Sequence, residues 1–285
     1  MRRAVLAAGA AGVLATSMVV GTGVGNAGAA DANKLTVTAG EYTYKFSGKP
    51  KPGNVEIEFD NAGVEIHMMA IIGLKPGVTK KQLEGASLSD GSSALEKLLS
   101  KTGFNVSGAP GLLSPDLVST NITSLPAGHY GLLCFVPAPD GEPHIAHGMV
   151  AVFDTKGSKS TLKPPTDGVT EISVSDSGFT IPSTGLPKSG WIKVTNEASI
   201  GRDVTLAGFP AGTTFEQGDA DIEAFFETGQ WPSGQATVTL YGGVGSVAAG
   251  KSAYFEVQGL TPGSYTLVSS DDEGENEVHT EFQVT

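Results

Sequence analysis

Leu125-Pro126-Ala127-Gly128-His129-Tyr130-Gly131-Leu132 returns later in the chain as Leu260-Thr261-Pro262-Gly263-Ser264-Tyr265-Thr266-Leu267. Other stretches match in the same way. The run Asn54–Gly77, with Phe59-Asp60-Asn61 inside it and Leu74-Lys75-Pro76-Gly77 at its end, lies over Trp191–Asn196 and Phe209-Pro210-Ala211-Gly212. A closing stretch, His147-Gly148-Met149-Val150-Ala151-Val152, lies over His279-Thr280-Glu281-Phe282-Gln283-Val284. Matches of this kind mark a chain built from one unit used twice.

The unit is read from its periodicity. Leu35-Thr36-Val37-Thr38, Asn54-Val55-Glu56-Ile57-Glu58-Phe59, Ile172-Ser173-Val174-Ser175 and Trp191-Ile192-Lys193-Val194-Thr195 alternate apolar with polar. Such alternation belongs to half-buried strands. With 39 Gly and 16 Pro, the composition favours short strands and turns over long helices. Each copy has room for one helical insertion, over Lys80–Lys101 with Leu83, Leu95, Leu98 and Leu99 as its apolar face, and over Phe215–Phe226. The expected architecture is all-β: two tandem Greek-key sandwiches, residues 31–157 and 169–285, joined by a linker over 158–168 that contains Lys163-Pro164-Pro165.

Ahead of both copies, Arg2-Arg3, an alanine-rich apolar stretch from Ala4 to Val20 and small residues up to Ala30 read as a secretory signal over residues 1–30. Cleavage is expected after Ala29 or Ala30, which leaves about 255 residues outside the cytoplasm and no stable membrane insertion. The net charge of -12 argues against nucleic acid and anionic membranes as partners and admits a basic protein.

In an exported chain, a single cysteine calls for an explanation. Cys134 lies in Leu133-Cys134-Phe135-Val136-Pro137-Ala138-Pro139-Asp140-Gly141-Glu142-Pro143-His144-Ile145-Ala146-His147-Gly148-Met149. A cysteine ending one strand and a methionine opening the next converge across a loop that delivers an imidazole. A second imidazole, His67, follows Asn61-Ala62-Gly63 at the mouth of another strand. Taken singly, Cys134 is a small buried hydrophobe, His67 a core histidine and Met149 a core residue. Taken together, a thiolate, two imidazoles and a weak thioether suit copper in both oxidation states.

At these residues the chain resembles the cupredoxins, the blue-copper fold of plastocyanin and azurin. The resemblance rests on Asn61-Ala62-Gly63-Val64-Glu65-Ile66-His67, on Tyr130-Gly131-Leu132-Leu133-Cys134 and on His144-Ile145-Ala146-His147-Gly148-Met149. It implies His67 and His144 as equatorial ligands of one copper, Cys134 as the thiolate and Met149 as the axial ligand. The loop from Cys134 to His144 is longer than the plastocyanin pattern, which keeps His147 as the alternative to His144. The spacing of five from His144 to Met149 favours His144. His144 is expected near the surface, inside an apolar rim of Pro137, Pro139, Pro143 and Ile145.

In the second copy His67 falls on Arg202, Cys134 on Ser269 and Met149 on Glu281, with His279 opposite His147. Arginine and serine supply neither imidazole nor thiolate, so this copy is expected to lack the copper site. Its acidic run from Asp271 to Glu277 reads as a solvated loop. No His-x-His pair occurs and Leu133 and Phe135 flank the cysteine, which argues against the coppers of oxidases and nitrite reductases. The expectation is an exported protein that passes single electrons to a redox partner and is not an enzyme. The alternatives are a copper storage, delivery or tolerance module, and a metal-free structural or adhesive sandwich.

Overall fold

The computed structural model describes residues 33–87, 92–103, 106–271 and 276–285. The expected export signal lies outside them. The first half carries β1 (Lys34–Gly40), β2 (Thr43–Ser47), β3 (Gly53–Asn61), β4 (Ala70–Leu74), α1 (Lys80–Ser87), α2 (Ser92–Glu96), β5 (Val118–Leu125), β6 (Gly128–Leu133) and β7 (Val150–Thr155). The second carries β8 (Thr170–Ser175), β9 (Gly178–Thr180), β10 (Gly190–Asn196), β11 (Arg202–Gly208), α3 (Phe215–Thr228), β12 (Thr239–Val247), β13 (Ser252–Val257), β14 (Gly263–Ser269) and β15 (Val278–Val284).

Alternation in the sequence becomes alternation in burial. Along β1, Leu35, Val37 and Ala39 face inward, and along β3 so do Val55, Ile57 and Phe59. The two strands run parallel, with Leu35 beside Ile57. In the second half β8 and β10 repeat this pairing, with Ile172 beside Val194. Sheet β4-β6-β7 covers the first inner face, and sheet β12-β11-β14-β15 covers the second. Each fully buried aliphatic or aromatic side chain in these cores, Ile57 or Phe255 for example, contributes about 1.5–3 kcal/mol. The repeated octapeptide proves to be a tyrosine corner. Tyr130 Oη donates to Pro126 O at 2.7 Å, and Tyr265 Oη to Thr261 O at 2.9 Å.

The halves share a sheet. Its order is β2-β1-β3-β5-β13-β10-β8-β9, so an edge strand of each half pairs with that of the other, Asn121 opposite Phe255. Joining the edges removes two exposed rows of backbone donors and acceptors. Below this seam, Asn121 Nδ2 donates to Gly243 O at 2.7 Å, and Leu113 bridges to Tyr241 on one side and His67 on the other. The linker is held along the first half, with Ser160 N donating to Pro52 O at 2.7 Å and Asn54 Nδ2 to Leu162 O at 3.1 Å.

The helical insertions differ from expectation in one respect. The Lys80–Lys101 segment holds two short helices, α1 and α2, after which Leu98 lies in a turn and Leu99 bridges to Leu74. Leu83, Leu95, Leu98 and Leu99 still pack as one apolar group against β4. In the second half α3 is a single helix, started by a capping box between Thr214 and Gln217 and stopped by the left-handed Gly229.

Candidate metal centre

The arm that carries His67 is shaped by Asn61. Its Nδ2 donates to Glu65 O at 2.9 Å and Leu113 O at 2.8 Å, and its Oδ1 accepts from Gly63 N at 3.0 Å. His67 is then fixed by a double backbone bond to Leu113, 3.1 Å outward and 2.9 Å inward. On the other side, Cys134 directly follows the last residue of β6, and the long loop after it closes on itself. Ala138 N donates to Glu142 O at 2.7 Å, His144 N to Val136 O at 2.8 Å and Ile145 N to Cys134 O at 3.0 Å. The three prolines are therefore no obstacle, because the loop folds as a narrow ribbon that returns His144 beside Cys134. A 3₁₀ turn over His144–His147 and a left-handed Gly148 (φ 90°) then lead into Met149 and β7.

His67, Cys134 and His144 meet. Their donor atoms all lie within 4.8 Å of one another, and none of the three side chains is exposed. His67 Nδ1 is 3.0 Å from His144 Nδ1, and Cys134 Sγ is 3.3 Å from His144 Nδ1. Trigonal donors bonded at roughly 2.0–2.3 Å stand about 3.5 Å apart, so this spacing fits one ion. Two imidazoles and a thiol fit the donor set of a type 1 copper site. Among the described residues this is the only such group of three. Met149 is fully buried in the same apolar cluster as Cys134, and its N donates to His144 O at 3.0 Å.

His147 is not brought in. It sits at the surface with Nε2 3.2 Å from Asp140 Oδ1, its ring stacked on Tyr42. The 3₁₀ turn places residues three apart on nearly one side, but His144 points into the sandwich and His147 along its rim. One expectation about His144 is overturned. Its imidazole does not reach the surface through a proline rim. Tyr42 lies edge-on to it at 5.0 Å, and Glu65 Oε2 caps its Nε2 at 2.8 Å. Neither Tyr42 nor Glu65 stands out in the sequence, because the β1–β2 hairpin tip meets the Cys–His loop only in the folded chain. His129, at the start of β6, is pinned between Asp154 Oδ1 (2.9 Å) and Val78 O (2.7 Å).

Burial governs the charges here. It pushes the Cys134 thiol up to about 11, against the opposing pull of N–H groups from Met68 and Val136 and the Tyr44 hydroxyl. His67 is lowered to about 4, by burial first and then by His144. His144 is lowered by burial, while Glu65 works in the other direction. The Tyr42 hydroxyl is raised to about 12 by burial and by the Glu65 carboxylate. At neutral pH the two imidazoles are thus uncharged and offer lone pairs. A buried thiol beside two neutral imidazoles, with no cation of the chain among them, suits a metal ion that displaces the thiol proton.

The second half repeats the scaffold without the donors. Asn196 Nδ2 donates to Ile200 O and Val247 O, both at 2.7 Å, and its Oδ1 accepts from Ala198 N at 2.8 Å. Arg202 and Ser269 occupy the places of His67 and Cys134, as expected. The closing strand corrects the sequence matching by three residues. Leu132 pairs with Ala151 as Leu267 pairs with Thr280. Val278 therefore stands at Met149's place and His279 at Val150's, and Glu281 corresponds to Val152. The shorter loop after Ser269 brings β15 into the ladder three residues earlier than a match of His147 with His279 implies. The acidic loop is not all solvated either: Asp271 is buried and its Oδ2 accepts from Asn276 N at 3.2 Å.

No family model matches the chain, and no curated protein does. Solved structures do. Dithionite-reduced auracyanin from the photosynthetic bacterium Roseiflexus castenholzii matches at 23% identity and TM-score 0.30, over 44% of this chain and 98% of that one. A multicopper oxidase matches at 13% identity and TM-score 0.24, over 88% of each chain. The copper nitrite reductase from Nitrosomonas europaea matches at 13% and 0.24, over 88% of this chain and 93% of that one. Each half is a two-sheet β-sandwich, and the two are joined through one eight-stranded sheet. No helix among the described residues is long and apolar enough to cross a membrane.

Proposed function

We propose that the first half holds one copper ion as a type 1 centre and that the protein carries single electrons outside the cytoplasm. His67 and His144 would hold the ion through Nδ1 and Cys134 through Sγ, with the Met149 thioether as a weak fourth donor. The observation that carries this reading is the convergence of three buried donors, two imidazoles and a thiol, with no cation of the chain among them. Copper in such a site supplies a one-electron couple. The chain's part is to hold the donors still, through the Asn61 amide, the Leu113 backbone and the ribbon loop, and to keep water out.

The histidine count supports a carrier over an enzyme. Of five histidines, two are in the cluster. His129 is bound to Asp154, His147 to Asp140, and His279 lies against Phe215 at 3.7 Å. None remains to build a second copper centre of the kind that oxidases and reductases use. The acidic surface favours a basic redox partner. We read residues 31–157 and 169–285 as two domains of one design, the second without copper, behind a cleaved export signal.

The test is reconstitution. Copper(II) added to the mature protein is expected to give a strong visible thiolate-to-copper band that Cys134→Ser abolishes. A wild type without that band overturns the reading and leaves a metal-free sandwich. The burial of His144 under Tyr42 and Glu65 favours a second reading, a closed module that stores or delivers copper. Fast electron self-exchange with copper retained on reduction decides for the carrier, and release of copper(I) decides for the module.

A further inference from the structure

Tyr42 has a left-handed backbone, φ 56°. Outside glycine, asparagine and aspartate this conformation is uncommon, and for an aromatic residue it costs of order 1 kcal/mol or more. What it achieves at the tip of the β1–β2 hairpin is visible in the contacts. The Tyr42 ring meets His144 edge-on (5.0 Å, 68°) and stacks on His147 (4.6 Å, 27°). Its hydroxyl donates to Glu65 Oε1 at 3.1 Å. The other oxygen of that carboxylate, Oε2, lies 2.8 Å from His144 Nε2.

We infer that Glu65, seated by Tyr42, is a positioning residue that presets His144 for metal binding. A carboxylate only accepts, so its partner Nε2 carries the imidazole proton. A neutral imidazole has one N–H, and Nδ1 is then a bare lone pair. That lone pair faces Cys134 Sγ at 3.3 Å and His67 Nδ1 at 3.0 Å. The ring is gripped from both ends: Glu65 holds Nε2, and the backbone of His144 is tied to Val136 and Met149. Carboxylate partners of ligand histidines fix the ring and make it a better donor, and their loss typically weakens metal binding about 10–100-fold. Glu65 is itself held, since its carbonyl accepts from Asn61 Nδ2 at 2.9 Å, the amide that shapes the His67 arm. One loop therefore delivers one ligand and orients the other. The negative charge beside His144 also favours the more highly charged metal state, so its removal raises the reduction potential.

The inference rests on the copper reading for its metal half and on the metal-free chain for the rest. Two measurements separate them. In metal-free wild type, ¹⁵N NMR is expected to show a His144 Nε2–H protected from exchange with water and an unprotonated Nδ1. Glu65→Ala loses that protection, while Glu65→Gln, whose amide oxygen still accepts, keeps part of it. Competition titration with copper(I) and with zinc is expected to show a 10–100-fold weaker site in Glu65→Ala, a smaller loss in Glu65→Gln and Tyr42→Phe, and a higher potential in both Glu65 variants. Unchanged protection and affinity in a folded Glu65→Ala overturn the role of Glu65 and leave the copper site standing. A protected Nε2–H in a wild type that binds neither metal overturns the copper reading and keeps the preset ring.

Discussion

Arg202 stands in the second half where His67 stands in the first, each bridged through its backbone to the residue that accepts from the loop asparagine, Val247 for one and Leu113 for the other. The guanidinium is buried, with Nη1 donating to Asn276 O at 2.9 Å and Nη2 3.5 Å from Asp176. A permanent cation of the chain thus replaces an imidazole donor in the second half. Copper loading is expected to saturate at one ion per chain and to fall to none in Cys134→Ser, measured by elemental analysis after desalting. A second ion bound as tightly as the first contradicts the silent role of Arg202 and Ser269.

Gly63 bears on the same comparison. A Cβ there would lie 2.6 Å from His67 Nε2 and 2.8 Å from Glu41 Oε1. In the second half the corresponding residue is Ala198, and Arg202 takes the place of His67. Gly63→Ala is expected to push the His67 ring off its place, to cost about 1–3 kcal/mol and to weaken or shift the visible band. Chemical denaturation and the spectrum check it. An unchanged spectrum with unchanged stability shows that His67 sits elsewhere.

The metal-free protein is expected to lose stability in mild acid. His67 is held at about 4 against an ordinary 6.5, by burial first and by His144 second. Between those values the unfolded chain takes up a proton that the folded chain refuses. Stability is therefore complete above about pH 6.5 and falls as pH drops toward 4, by about 3 kcal/mol from this group. Glu277, raised to about 7 by burial and by Asp219, Glu223 and Asp203, works in the opposite sense: its contribution is complete below about pH 4.5 and is lost as pH rises to about 7. Urea unfolding of wild type and His67→Asn at pH 7, 5.5 and 4.5 isolates the histidine. Parallel curves for the two proteins overturn the assignment.

Much of this was legible before folding. Cys134, His67 and His144 were readable because the donor types are rare in this chain and stand at fixed distances from strands that alternate cleanly. The tyrosine corner was readable as a repeat because Tyr130 and Tyr265 need the same turn four residues upstream. What escaped was long-range. The Glu65 cap on His144 is seated by Tyr42, about a hundred residues from His144, and the positive φ of Tyr42 leaves no mark in composition. The pairing of β5 with β13 escaped for a similar reason, since nothing in an edge strand names the strand that will cover it. The three-residue slip in β15 shows the limit of residue matching, because a ladder register is fixed by pairing and not by a shared histidine.

The second half reaches the candidate site through Gly229. Gly229 ends α3 in the left-handed conformation (φ 71°), its N donating to Phe225 O. A Cβ at this point would fall 1.8 Å from Ala138 O, inside the Cys134–His144 loop. The next residue, Gln230, donates from Nε2 to Pro139 O at 2.8 Å, and Phe225, stacked on Trp231 at 4.7 Å, packs into the core cluster that contains Cys134. The end of α3 is thus seated on the ribbon that brings His144 home. Gly229→Ala meets both backbone strain and a hard contact, a combined cost of roughly 2–4 kcal/mol. The effect is expected to appear at the site as well as in global stability, as faster hydrogen exchange at Ala138 and His144 N–H and weaker copper retention under a chelator. The control is Gly212→Ala, also left-handed (φ 90°) but with open space around it, which strains the backbone alone. If Gly229→Ala loses only the stability that Gly212→Ala loses, and the loop exchanges as before, the second half does not clamp the Cys–His loop.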